Sequence, residues 1–165
     1  QAMEEAAEVS MRNLLTRSGS VQTASVNLLI EIVAAYGLRK ADNVGSSDPY
    51  CVIRLGERIL HKTSVISNNI NPIFTLKHNC LCLVSESVEK FFKTSVGVTF
   101  EVRDYDNVGT GSRLGEAVVK QNVLLEANGD RMELPLEHEK AEHGQQGVLI
   151  IRSRAATASD IKFMK

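Results

Sequence analysis

Residues 96–109 of the chain read VGVTFEVRDYDNVG, and this stretch joins a strong strand signal to a pair of acids. Valine, threonine and phenylalanine dominate residues 96–103, and such β-branched and aromatic runs are typical of strands. Asp104 and Asp106 follow at once, before an Asn-Val-Gly sequence that favours a turn. The stretch therefore predicts a strand that ends in an acidic turn.

Similar runs recur along the chain on both sides of this strand. Val26, Leu28, Ile30 and Ile32 occupy alternate positions, which predicts a strand with one strongly apolar face. Short strands separated by turn residues are typical of an antiparallel sandwich. We therefore predict an all-β fold, an eight-stranded antiparallel β-sandwich. The predicted strands cover residues 26–33, 50–55, 59–66, 74–84, 96–103, 114–120, 131–136 and 147–152.

Two segments have helical periodicity instead. Residues 1–17 carry a loose apolar stripe with acids near the amino end, which predicts a short N-terminal helix. Residues 85–94 place three large apolar side chains at helical spacing, which predicts a small helical insertion. We expect the chain to be part of a longer protein. The predicted organisation is a flanking helix and linker over residues 1–24, a sandwich domain over 25–153 and a C-terminal tail over 154–165.

The composition is that of an ordinary globular domain, with 43% apolar and 24% charged residues. A formal net charge of −1 gives no overall attraction to polyanions, so any such attraction must come from a local patch or a bound cation. No apolar run reaches the roughly 18 residues of a membrane span, and no signal-peptide pattern is present. The three cysteines lack metal-ligand spacing, which favours buried thiols in a reducing compartment. We expect a cytoplasmic protein with no nucleic-acid partner.

The sequence gives little support for a catalytic function. His138 and His143 are five residues apart, and on a helix this spacing puts them on different faces, unlike the ligands of a zinc-protease helix. Residues 109–115, GTGSRLG, lack the third glycine of a dinucleotide fingerprint and precede a predicted strand. We interpret the chain as a non-catalytic regulatory or targeting domain, although the longer protein could be an enzyme.

Four aspartates lie at the ends of predicted strands. Asp42 and Asp48 are six residues apart, and Asp104 and Asp106 are two apart. Each pair alone also fits a turn in which the side chain bonds nearby backbone. If the two turns meet, however, carboxylates ~4 Å apart repel by roughly 4 kcal/mol at an effective dielectric near 20, unless a cation lies between them. Calcium suits such a set because it takes about 6–8 oxygen ligands in flexible geometry.

Taken together, these motifs resemble the C2 domain family, the calcium- and phospholipid-binding module of protein kinase C and the synaptotagmins. The resemblance implies a sandwich in which two Asp-bearing loops bind calcium. No strand is predicted before residue 26 and one closes the domain at 147–152, an order that resembles the circularly permuted variant of the family. The matching stretches are LLIEIVAAYGLRKAD at 28–42, GSSDPYC at 45–51, LHKTSVISNNINPIF at 60–74 and VTFEVRDYDNVGTGSRLGE at 98–116.

The implied calcium site departs from the family pattern at one position. Ser112 stands where the family often has a further aspartate, and Gly109 offers only backbone. Because ligand charge tunes calcium affinity, we expect one or two ions, held more weakly. The implied ligands are the side chains of Asp42, Asp48, Asp104, Asp106 and Ser112, assisted by the backbone carbonyls of Asn43 and Tyr105.

Calcium at these loops would form an electrostatic switch for membrane binding. Bound ions cancel the negative charge of the loop end, which otherwise repels anionic lipid. Both loops contain Asp-Asn-Val-Gly, so Val44 and Val108 are candidates for insertion into the membrane, with packing within the loop as the alternative. Arg39, Lys40 and Arg113 flank the loops and are candidate headgroup contacts, with solvated surface charge as the alternative.

We therefore predict a calcium-dependent phospholipid-binding module that binds reversibly to anionic, phosphatidylserine-like membrane surfaces and could also have a protein partner. The alternative is a calcium-independent C2 fold that serves as a protein-interaction or structural module; Ser112 favours this alternative and the four aspartates oppose it. The lysine cluster of phosphoinositide-binding relatives is reduced to Arg54 and Lys62, with Val52 and Ser64 at other positions. No phosphoinositide specificity is predicted.

Overall fold

The computed structural model describes residues 24–39, 47–106, 112–138 and 145–165. The predicted helix of residues 1–17 lies outside this part of the chain. The described strands are β1 (Ser25–Tyr36), β2 (Pro49–Leu55), β3 (Arg58–Lys62), β4 (Leu81–Ser87), β5 (Val98–Asp104), β6 (Ser112–Val119), β7 (Met132–Glu137) and β8 (Gln145–Ala155). The described helices are a 3₁₀ turn (Leu76–His78), α1 (Val88–Phe92), α2 (Gln121–Glu126) and α3 (Ala158–Met164).

All strand pairs are antiparallel, and the strand order is β3-β2-β5-β6-β7-β8-β1-β4. The strands form a two-layered sandwich, and the register between β6 and β7 is a single pair, Glu116 with Glu137. The last strand, β8, pairs with the first strand, β1. The all-β antiparallel prediction and the permuted strand order are therefore both confirmed.

The core lies between the layers and is made by the alternation seen in the sequence. Val26, Leu28, Ile30 and Ile32 of β1 are all 0% exposed, as the predicted apolar face of that strand requires. The three cysteines are buried free thiols. The buried set that shares this core includes Cys51 and Ile53 of β2, Cys82 and Val84 of β4, Phe100 and Val102 of β5, and Leu149 and Ile151 of β8.

Burial also makes these thiols unreactive. Desolvation raises the pKa of Cys82 to about 12 and holds the pKa of Cys51 well above its usual range. Both thiols therefore stay protonated at neutral pH and pack as small apolar side chains.

The predicted strand over residues 74–84 is wrong in its first half. The Thr75 side chain and the His78 ring cap each other's backbone in a capping box, which starts the 3₁₀ turn. Asn79 then takes a left-handed conformation, φ 54°, and β4 begins only at Leu81. The side chains of Leu76 and His78 thus belong to a turn, and Phe74 before it is a buried core residue. The strand predicted over 59–66 is likewise shorter, ending at Lys62.

One of the described helices lies where the sequence predicts a helix, and another was not predicted. The predicted insertion at 85–94 contains α1, whose first turn is capped by the Ser87 hydroxyl accepting the backbone N–H of Lys90. The short helix α2 was not predicted. No helix in the described ranges is long and apolar enough to span a membrane.

The C-terminal segment is tied to β8 by a charged contact. Arg154 pairs with both carboxylate oxygens of Asp160, at 2.5 and 2.9 Å, and Asp160 also forms a capping box with Thr157 at the start of α3. Hydrogen bonds from Arg154 and from the Thr157 backbone hold the pKa of Asp160 well below its usual range.

Asp160→Asn is expected to release α3 from the end of β8. Because the folded-state pKa of Asp160 is lowered, its contribution to stability is present above the unfolded pKa of about 3.9 and is lost as pH falls below that value. In the wild type, NMR signals of α3 should therefore lose their helical shifts progressively as pH falls from about 4 toward the lowered pKa of Asp160, whereas Asp160→Asn should show the detached pattern already at neutral pH. Asp130→Asn, a change at an exposed turn residue, is the control. Equal acid profiles for wild type and Asp160→Asn would contradict the prediction.

Candidate functional site

Strand register brings the two acidic segments to one end of the sandwich. Pro49, at the start of β2, pairs with Asp104, at the end of β5, and Asp104 pairs in turn with Ser112, at the start of β6. Beyond the end of β1, the carbonyl of Arg39 accepts a hydrogen bond from the hydroxyl of Ser47 at 2.9 Å. We call this end the loop pole and define it by Asp48, Asp104 and Ser112.

Asp48 and Asp104 are in direct contact at the loop pole. The backbone N–H of Asp48 donates to Oδ1 of Asp104 at 2.7 Å, and the backbone N–H of Tyr105 donates to the carbonyl of Asp48 at 2.9 Å. Asp104 is only 7% exposed. Two segments that are distant in the sequence are thus joined through the residues predicted to bind metal, while their role as ligands stays a prediction.

A third segment braces Asp48 from the other side. Oδ1 of Asp48 accepts the backbone N–H of Asn68 at 2.7 Å, and the backbone N–H of Asn69 donates to the carbonyl of Ser47. Ser47 is buried, and its hydroxyl donates to the carbonyl of Arg39 at 2.9 Å. These bonds fix the Asp48 carboxylate on the backbone of Asn68 and hold the Asp48 backbone against Asp104.

The remaining predicted residues differ in their surroundings. Asp106, Tyr105 and Ser112 are exposed. Arg113 is exposed and pairs with Glu116 at 3.0 Å, so a neighbouring carboxylate offsets its charge. Nε of Arg39 is buried without a hydrogen-bond partner among the described residues. Lys40, Asp42, Asn43, Val44 and Val108 lie outside the described residues.

The donor set at the loop pole suits a hard cation. Its described side chains offer carboxylate and hydroxyl oxygens, with the Tyr105 carbonyl nearby, and calcium prefers oxygen ligands of these kinds. Within the described ranges no group of three or more His, Cys, Asp or Glu is placed to hold a metal ion. Asp42, the fourth predicted carboxylate, is outside those ranges.

A groove of about 540 Å³ runs along the face of β2, β3 and β5 below the loop pole. On its floor Glu101 is 3% exposed and lies between two arginines. One carboxylate oxygen pairs with Nη2 of Arg54, and the other lies 3.5 Å from Nη1 of Arg103. The positive charge of Arg54 is therefore opposed by a buried acid.

The sequence analysis missed Glu101. A signal was available, since Glu101 is the single charged residue inside the apolar run 98–102. Its partners, however, come from the cross-strand register, which spacing along the chain does not give.

The C2 domain family model matches residues 26–136. Human myoferlin is 31% identical over 111 residues, which are 66% of this chain and 5% of myoferlin. A protein of Arabidopsis thaliana named calcium-dependent lipid-binding protein is 34% identical over 88 residues, 53% of this chain and 16% of that protein. The C2A domain of plant extended synaptotagmin 1 is similar in structure, with a TM-score of 0.63 and 26% identity, covering 80% of this chain and 96% of that domain. The chain thus spans only a small part of its two sequence relatives.

Proposed function

Since the chain belongs to the C2 domain family, we propose that it is a calcium-dependent phospholipid-binding module that docks its loop pole on anionic membranes. The observation that carries the proposal is the contact between Asp48 and Asp104, which draws two acidic segments to one pole. A relative whose name states calcium-dependent lipid binding supports it. We propose a cytoplasmic protein that is reversibly peripheral to the membrane.

Asp48, Asp104 and Asp106 would hold the ion or ions, together with Asp42 from the neighbouring segment and the Ser112 hydroxyl. The Asp104 carboxylate is oriented before any ion binds, because it already accepts the Asp48 backbone N–H. Carboxylates gathered at one pole repel each other, and this repulsion favours capture of a cation. Ser112 in place of a carboxylate keeps the expected number of ions at one or two.

When bound, calcium would neutralise these carboxylates and supply coordination positions for lipid phosphate or carboxylate oxygens. The chain's own residues would supply the apolar and headgroup contacts with the membrane. Val44 and Val108 would insert into the apolar part of the membrane, and each valine that is buried completely would contribute about 1.5–3 kcal/mol of binding free energy. Arg39 and Lys40 would contact headgroups at the rim.

Replacing Asp104 and Asp106 together by asparagine is expected to abolish membrane binding at calcium concentrations that just saturate the wild type. Asparagine keeps the Oδ1 acceptor for the Asp48 N–H but removes both ligand charges, so the calcium requirement should rise by about tenfold or more. The measurement is cosedimentation with phosphatidylserine–phosphatidylcholine vesicles in calcium, in magnesium and in chelator. The paired control, Glu126→Gln with Asp130→Asn, removes the same charge at exposed positions remote from the loop pole.

A thermal melt and a second variant separate calcium binding from membrane insertion. The melting temperature should rise with calcium and not with magnesium, because only an ion that binds the native state stabilises it. Val44→Ala with Val108→Ala should keep this calcium-dependent rise and weaken cosedimentation. Vesicle binding that persists unchanged in chelator would refute the switch and favour the calcium-independent interaction module.

A further inference from the structure

The end of the sandwich opposite the loop pole carries a cleft of its own. Strand β2 starts at the loop pole with Pro49 and ends at Leu55, and a strand of this length spans about 20 Å. The turn into β3 and helix α1 meet at that far end and border an open depression of about 400 Å³. We call it the distal cleft, and it is lined by Leu55, Arg58, Lys90, Lys93 and Thr94.

The distal cleft has an excess of positive charge. Three cationic side chains line the cleft, those of Arg58, Lys90 and Lys93. The charge of Arg58 is offset because it pairs with Glu86 at 2.5 Å. Lys90 and Lys93 are exposed, and neither forms an ion pair with a described residue. Lys90 lies on α1 and Lys93 directly follows its end, and two ammonium groups three residues apart there repel each other, which an anion between them would relieve.

Acids in the same segments do not line the cleft. Glu57, in the turn before β3, and Glu89, on α1, are exposed and lie outside the lining set. The two lysines therefore face the cleft without a carboxylate beside them in the lining. An anion that enters meets Lys90, Lys93 and the outer edge of Arg58.

The scaffold beneath the lysines is rigid. Phe91 of α1 is 0% exposed and anchors the helix in the core. The buried side-chain amide of Gln121 donates to the carbonyl of Phe91 at 3.3 Å and to that of Thr94 at 2.7 Å, so it fixes the segment that carries both lysines. A site on a braced element loses less entropy when a ligand binds.

We propose that the distal cleft is a calcium-independent binding site for a phosphate-bearing ligand, either a lipid headgroup or a soluble phosphate ester. Lysine ammonium groups and arginine are the side chains that proteins use for phosphate. The cleft exceeds the size of a bare phosphate, and Leu55 gives the carbon skeleton of an ester an apolar contact. The domain then recognises anions at both poles, and this inference does not depend on the calcium proposal.

The test uses the whole chain in chelator, which silences any calcium-dependent binding. Inositol 1,4,5-trisphosphate is the soluble probe, followed by amide NMR and calorimetry. Binding should shift the amide signals of α1 and weaken as salt rises. Lys90→Glu with Lys93→Glu should lower affinity by about tenfold or more, since each lysine supplies a charge-assisted contact. Lys162→Glu with Lys165→Glu is the control, because it changes the same charge at exposed positions outside the cleft.

A second arm separates the two sources of phosphate. Phosphatidylcholine vesicles containing phosphatidylinositol 4-phosphate are sedimented in chelator with the same variants. Binding that is lost with the lysine pair supports the site: binding of one probe alone names that source of phosphate, and binding of both shows that the cleft takes either. The proposal is overturned if the wild type binds neither probe, if the lysine variant binds as the wild type does, or if Lys62→Glu in the groove removes binding that the lysine variant retains.

Discussion

Gly147→Ala is expected to destabilise the domain by about 3 kcal/mol or more. Gly147 lies in β8 with φ +78°, a backbone conformation that L side chains rarely adopt. A Cβ at this position would lie 2.5 Å from the carbonyl oxygen of Tyr36 and 2.7 Å from that of Gly37. Both obstacles are backbone atoms of the neighbouring strand end, so no side-chain rotation relieves the clash.

Gly37→Ala is the matched control because it has the positive φ without the steric clash. Gly37 also has a positive φ, +67°, but its added Cβ would meet only the Cα of Gly147, at an ordinary 3.6 Å. The conformational penalty alone is about 1–2 kcal/mol. Urea unfolding of the two variants should therefore differ by the cost of the steric clash. Equal losses of stability would mean that backbone conformation, and not the close approach of β8 to β1, sets the requirement for glycine.

The strands of the core could be predicted from the sequence because burial of one face leaves a direct trace. Alternate residues of β1, from Val26 to Ile32, are buried in the structure as the pattern predicts. The same alternation misled at residues 74–78, where Leu76 is 66% exposed. There the capping box of Thr75 and His78 makes a local turn. A period of two cannot distinguish such a turn from a strand when apolar and polar residues alternate by chance.

The candidate site also has a part that local sequence predicts and a part that it does not. Spacing identified the pair Asp104 and Asp106, since these residues are neighbours in the chain. The meeting of Asp48 with Asp104 depends on the pairing of β2 with β5, which the sequence suggested only through a family resemblance. The same pairing places Arg54 beside Glu101, a relation that no local pattern contains. Contacts across strands are thus the part that the sequence left unspecified.

Glu101→Gln is expected to cost about 2–3 kcal/mol of stability. Removing one partner of a fully buried ion pair costs about 3–5 kcal/mol, and the loss expected here is smaller because both arginines keep some contact with water. The side chain of Glu101 is 4% exposed, against 32% for Arg54 and 27% for Arg103. A glutamine oxygen can accept from one arginine, but its amide NH₂ would face the other as a second donor.

Glu133→Gln provides the control for stability. Its partner Arg131 lies 4.0 Å away, and both side chains are more than half exposed, at 58% and 56%. Exposed pairs of this kind contribute about 0–1 kcal/mol, so urea unfolding should hardly change. A loss in Glu101→Gln no larger than in Glu133→Gln would show that the Arg54–Glu101–Arg103 cluster does not stabilise the fold.

The same substitution has a second consequence, at the surface of the groove. Neutralising Glu101 leaves Arg54 and Arg103 without their opposing charge, and an uncompensated basic groove attracts anionic lipid without calcium. Glu101→Gln should therefore bind phosphatidylserine vesicles in chelator more strongly than the wild type, even though its fold is weaker, and the gain should vanish at high salt. Glu133→Gln, with the same net charge, should show no such gain. If the two variants bind alike, net charge and not the buried carboxylate controls lipid attraction at this face.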